Sequence, residues 1–150
     1  MGLSFPPLLR KLYLGVGNGG FGPGFGIFGV KGGHPAEIVS GAQTIDAVYV
    51  ALRADPQWWP EKLLPICDWG CAIWSCLDCS TDDGAVITLD GEKPYTNSGS
   101  TLRTWLSAWL AGADLWEEMF EARETIGMNP FTKKPLVIKG RGNARGTSWP

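Results

Sequence analysis

The chain has 150 residues, of which 44% are apolar and eight are tryptophan, with a net charge of −2. A chain this long can bury a core without metal or disulfide staples, and one this apolar is not intrinsically disordered. No apolar run approaches the ~20 residues of a membrane helix, and Met1 to Pro7 lacks the basic-then-apolar order of a secretory signal. These features lead to the expectation of a cytoplasmic protein with reduced cysteines and no membrane partner.

The small net charge conceals a division along the chain. Residues 1–36 carry three basic and no acidic groups, residues 37–121 carry fourteen acidic and four basic, and residues 122–150 carry six basic and one acidic. An acidic middle repels nucleic acid and attracts basic partners.

The first expected element is a short helix capped by Ser4, with Pro6 and Pro7 in its first turn. Leu9, Leu12, Tyr13 and Val16 form its apolar stripe, and Gly17 with Asn18-Gly19 ends it. Gly15–Gly33 is glycine-rich, which calls for positive φ angles or close backbone contacts. Its second half, Phe25 to Val30, has the composition of a strand. Another helix is expected from about Thr44 to Ala54, with Thr44 as cap and Ile45, Val48, Tyr49 and Leu52 buried. Pro56 closes it, and Trp58-Trp59-Pro60 follows as an aromatic loop.

Residues 63–90 read as a β-meander. Its strands run Leu63–Cys67, Cys71–Cys79 and Val86–Leu89, separated by turns at Asp68-Trp69-Gly70 and Asp82-Asp83-Gly84. A helix follows from about Ser100 to Ala111, with Leu102, Trp105, Leu106, Trp109 and Leu110 on its apolar face. Asp114 can cap a further helix bearing Trp116, Met119 and Phe120. Leu136-Val137-Ile138 is a candidate edge strand, and Gly140–Pro150 reads as a flexible end. The expected fold class is therefore α+β: a multi-stranded, mostly antiparallel sheet with helices packed against it. The expected division is a domain over residues 1–126 and a basic, glycine- and proline-rich tail over 127–150.

Chemical motifs are few. Gly15, Gly17 and Gly20 match G-x-G-x-x-G, but a dinucleotide fingerprint must open a helix and these glycines close one. Cys67, Cys71, Cys76 and Cys79 place four thiols in thirteen residues, which raises a zinc alternative. Alternation along a strand sends Cys76 and Cys79 to opposite faces, so buried thiols are the preferred reading. Cys67 and Cys71 flank the turn, where they can sit opposite each other and pair under oxidising conditions, but no disulfide is expected in the cell. The single histidine, His34, lies in a Gly-Gly-His-Pro loop that reads as a plain surface turn. Asp68, Asp78, Asp82, Asp83 and Asp90 could supply an acid/base pair, yet turn chemistry explains them equally well. No residue is assigned a catalytic, cofactor-binding or metal-binding role, and no enzyme activity is expected. Trp58, Trp59 and Trp69 lie in loops beside acidic residues, where tryptophans can serve as interface anchors.

Two segments together resemble a known family. Leu12–Gly26, with Gly-Asn-Gly-Gly at 17–20, is similar to the opening signature of the SUKH superfamily, and Leu64–Asp78 is similar to its central hairpin. The superfamily includes a yeast regulator of cell-wall synthesis and many bacterial immunity proteins. The resemblance covers roughly residues 5–120, and the helix at Leu102–Leu110 matches the family's closing helix. It implies a non-enzymatic, protein-binding domain without cofactor, either an immunity protein that neutralises a toxin such as a nuclease, or an intracellular regulatory scaffold. A basic toxin suits the acidic middle of the chain. Family positions carried over are Asn18, Gly19 and Gly20 in the loop, and Asp68, Gly70 and Asp78 in the hairpin. With the neighbouring aromatics, the candidate partner-binding residues are Asn18, Gly19, Gly20, Phe21, Trp58, Asp68, Trp69 and Asp78. Two departures from the family pattern are expected: family members usually have a further helix ahead of the segment matching Phe5–Leu8, close to where this sequence starts, and the cysteine-rich hairpin marks a subgroup. Loss of that helix would leave apolar surface that favours a homo-oligomer.

Overall fold

The computed structural model describes residues 2–35, 43–56, 59–90, 93–120, 124–128 and 135–139. In chain order it contains α1 (Pro7–Gly15), α2 (Ile45–Leu52), β1 (Leu63–Asp68), β2 (Ile73–Asp78), β3 (Ala85–Asp90), β4 (Lys93–Thr101), α3 (Leu102–Leu110), α4 (Leu115–Phe120), β5 (Glu124–Met128) and β6 (Pro135–Lys139). Strands β1 to β4 form one antiparallel meander in sequence order, and β5 and β6 form a separate hairpin. The α+β architecture expected from the sequence is therefore the one observed. The expected strand at 136–138 is β6, while β5 runs across the boundary drawn at residue 126. Trp58 and the segment Gly140–Pro150 lie outside the described residues.

Side chains from both faces of the meander are buried. Leu77 pairs with Val86 on one face and Trp74 with Leu89 on the other, and all four are buried. That is why β1 and β2 read as nearly continuous apolar runs instead of alternating ones. Helix α2 packs on β1 through Ile45, Val48, Tyr49 and Leu52, and α3 contributes Leu102, Trp105 and Leu106 to the same core. Trp59 is fully buried, its ring 5.8 Å from that of Trp74, and its indole N–H donates to the Leu63 carbonyl at 2.7 Å.

Several local expectations are corrected. Helix α1 begins at Pro7 with Pro6 as its cap, so Ser4 does not cap it. Pro6 precedes a proline and is held extended at ψ 143°, which prevents an earlier start. Val16 stands just past α1 and is exposed, and Leu110 on α3 is exposed too, so neither belongs to a buried stripe. Strand β2 begins at Ile73, because Cys71 and Ala72 both have positive φ (53° and 60°) and form the turn. Cys67 therefore faces Ser75 across the hairpin and not Cys71. The expected strand at Phe25–Val30 is reduced to one bridge, Ile27 with Cys67, since Gly24 and Gly26 take positive φ there. That segment still covers the outer edge of β1: Phe28 N–H donates to the Ile66 carbonyl at 2.9 Å and Phe25 N–H to the Asp68 carbonyl at 3.2 Å. The helix expected from about Ser100 starts at Leu102 as α3, with Thr101 as its cap, and Thr101 with Thr104 forms a capping box. Strand β4 was not expected from the sequence.

Candidate protein-binding surface

The glycine-rich segment is folded back on itself. Asn18 Oδ1 accepts from Val30 N–H at 2.8 Å, its Nδ2 donates to the Lys31 carbonyl at 3.4 Å, and its own carbonyl accepts from His34 N–H at 2.8 Å. Gly33 packs so closely on Asn18 that a Cβ would lie 2.2 Å from the Asn18 carbonyl oxygen. Gly19 has φ +80°, and a Cβ there would lie 2.5 Å from Gly29 N. Gly20 rests against the His34 ring, whose Nε2 lies 3.1 Å from the Phe25 carbonyl. Asn18, Gly19 and Gly20 thus hold the loop's shape. Helix α1 is tied to the same segment by the Tyr13 hydroxyl, which donates to the Phe28 carbonyl at 2.6 Å; burial raises its pKa.

The far end of this segment sits on the tip of the β1–β2 hairpin. The Cys67 thiol donates to the Pro23 carbonyl at 3.1 Å, and a Cβ on Gly24 would lie 2.7 Å from the Asp68 carbonyl oxygen. Asp68 is buried, and its Oδ1 accepts from Gly70 N–H at 2.8 Å. Burial pushes its carboxyl above the usual range, and the backbone bonds from Gly70 and Trp69 oppose this only in part. Trp69 is partly exposed, and its indole N–H donates to Ser75 Oγ at 2.9 Å. Asp78 stands at the other end of β2, where its Oδ1 accepts from Ser80 N–H at 2.8 Å. The structure therefore joins Asp68 and Trp69 to the glycine-rich segment but leaves Asp78 roughly 15–20 Å along the strand.

The four thiols are spread over distinct environments. Cys67 and Cys76 are buried and Cys71 is exposed in the turn, while Cys79 is partly buried just beyond β2. Burial raises the Cys67 and Cys76 thiols well above the usual range and pushes Cys79 up to about 11. Among the described residues, no three His, Cys, Asp or Glu side chains come together to hold a metal ion.

Sequence reasoning missed an aliphatic surface feature between α1 and α3. Leu8 and Leu12 of α1, Val16, Phe21, and Leu106 and Leu110 of α3 line a groove of about 440 Å³, with Arg103 at its edge. Val16 is 66% exposed and Leu110 76%, so the groove presents aliphatic surface directly to solvent. Of these residues only Phe21 had been singled out as a candidate. A signal was present: α1 carries Leu8, Leu12 and Leu14 besides the buried Leu9, more apolar surface than one core stripe needs. At its Leu8–Arg103 end the groove continues into a polar cleft lined by Lys11, Asp82, Asp83 and Thr101.

A four-stranded antiparallel sheet, helices on its faces and a solvent-facing aliphatic groove define an α+β domain with the surface chemistry of a protein-binding module. The model of the SMI1 / KNR4 family (SUKH-1) matches residues 1–108, well over half the chain, and the chain belongs to that family. Membership makes it an immunity- or regulatory-type domain of the kind that engages other proteins. No curated protein and no solved structure matches it. No described helix is long and apolar enough to cross a membrane.

Proposed function

We propose that this chain acts by covering part of a protein partner, as a cytoplasmic immunity protein that neutralises a toxin, without catalysing a reaction and without a cofactor. The observation that carries the reading is the α1–α3 groove, where Val16 and Leu110 stay exposed beside Phe21. Exposed aliphatic surface with a polar rim is the usual mark of a contact site. The lack of catalysis is supported by how the candidate acid/base groups are used: Asp68 and Asp78 each hold a backbone N–H at opposite ends of the β1–β2 hairpin. The acidic middle of the chain favours a basic partner, such as a nuclease, by speeding encounter. The test is co-expression with the product of the adjacent reading frame. Rescue of cells from a toxic neighbour, lost in the Val16→Glu/Leu110→Glu variant, supports the reading. A folded protein that gives no rescue refutes immunity and leaves the regulatory scaffold of the same family.

A further inference from the structure

A second surface lies at the hairpin tip. Trp69 and Trp116 pack with ring centroids 6.0 Å apart at an interplanar angle of 46°. Phe25 adjoins them at Gly70, where a Cβ would lie 3.7 Å from its ring. Phe25 is 66% exposed and Trp116 39%, so this aromatic face is open to solvent. The Trp69 ring is fixed by its bond to Ser75, and the backbone ahead of Trp116 is fixed by Asp114, whose Oδ1 accepts from the N–H groups of Trp116 and Glu117 at 3.1 Å each. The three segments that build the face, 21–25, 68–72 and 114–120, contain Asp68, Asp114, Glu117 and Glu118 and no lysine or arginine. Asp114, Glu117 and Glu118 are exposed. The face lies partly beyond the family match, which ends at residue 108, so family membership does not account for it.

An exposed indole face attracts cations through its quadrupole, and neighbouring carboxylates raise the local concentration of positive charge. A guanidinium suits this better than an ammonium, because it is planar, stacks on a ring and can still hydrogen-bond a carboxylate in its own plane. We propose that the Phe25–Trp69–Trp116 face receives an arginine side chain of a basic protein partner, stacked on Trp116 and paired with the carboxylates of Asp114 and Glu117. This deepens the proposed function and rests on it, since it specifies the chemistry the partner brings to a surface separate from the α1–α3 groove.

The probe is the peptide acetyl-Gly-Arg-Gly-amide, titrated into the full chain while the indole N–H signals of Trp69 and Trp116 are followed by NMR. Both signals are expected to move saturably. The matching lysine peptide should bind roughly fivefold more weakly and the neutral citrulline peptide not measurably. Trp116→Ala should abolish the Trp69 shift, while Asp114→Asn/Glu117→Gln, which keeps a helix-capping side chain, should weaken binding and remove its salt dependence. No saturable shift, an equal response to citrulline, or an unchanged response in Trp116→Ala overturns the proposal. The groove variant Val16→Glu/Leu110→Glu is expected to leave this titration intact. If the peptide does not bind while that variant still loses the protein partner, the arginine site alone fails. If the peptide binds while the variant keeps the partner, the groove reading fails instead.

Discussion

Substituting Gly19 by alanine tests the packing of the glycine-rich segment. Gly19 sits at φ +80°, and a Cβ would lie 2.5 Å from Gly29 N, 2.7 Å from Gly29 Cα and 2.7 Å from the Ile27 carbonyl oxygen. All three are backbone atoms, so no side chain can swing aside. The left-handed conformation alone costs an alanine ~1–2 kcal/mol, and forcing a methyl into a closed site adds ~1–3 kcal/mol. The expected loss is about 2–5 kcal/mol, a large share of the ~5–15 kcal/mol that holds a domain together. Gly32 is the control: its φ is +83°, but nothing lies within 4 Å of its Cβ direction. Gly32→Ala should therefore lose only the conformational part. Urea unfolding followed by tryptophan fluorescence would give both midpoints. Equal losses in the two variants would refute the claim that the segment is held by backbone-to-backbone contact at Gly19.

Three further outcomes follow from the hairpin. Because the folded-state pKa of Asp68 is raised above its ordinary value of about 3.8, its contribution to stability is fully present below that pH and is lost as pH rises through the folded value. Asp68→Asn keeps the acceptor for Gly70 N–H and never ionises, so urea midpoints should show it more stable than wild type at neutral pH, with the gap closing as pH falls. Ala72→Gly relieves a non-glycine residue at φ 60° and should raise stability by ~1 kcal/mol in the same assay. Thiol labelling of the native protein should reach Cys71 first and Cys79 slowly, with Cys67 and Cys76 reacting only on unfolding; early labelling of Cys67 or Cys76 would contradict their burial.

Much of the fold was legible because apolar periodicity and turn chemistry agree over the meander and over α2 and α3. Strand β4 was not, since Lys93–Thr101 is polar, contains Pro94 and Gly99, and has no alternating pattern. Its pairing with β3 supplies what its own residues do not, and it is irregular: the register shifts near Ala85 and Ile87, and Ser98 Oγ donates to the Val86 carbonyl at 2.8 Å. The hairpin turn was placed too early because Asp68-Trp69-Gly70 has turn composition, whereas the tight turn falls on Cys71 and Ala72, where positive φ is not visible in residue type. The candidate surface was half legible. Trp69 stood out as a loop tryptophan in acidic surroundings, but its ring partner Trp116 is 47 residues away in sequence, and Phe25, which lies against Gly70, is 44 residues away; the fold alone brings them to one face. Val16 and Leu110 carry the helical spacing of core residues, and only tertiary packing shows that this spacing leads to an open groove.

Isothermal titration of the purified chain with the product of the adjacent reading frame decides whether the α1–α3 groove is a protein-binding surface. A saturable complex is expected, one that Val16→Glu/Leu110→Glu abolishes while the variant's unfolding midpoint stays close to wild type. No complex with the folded chain, or a complex that the variant binds equally well, would contradict it.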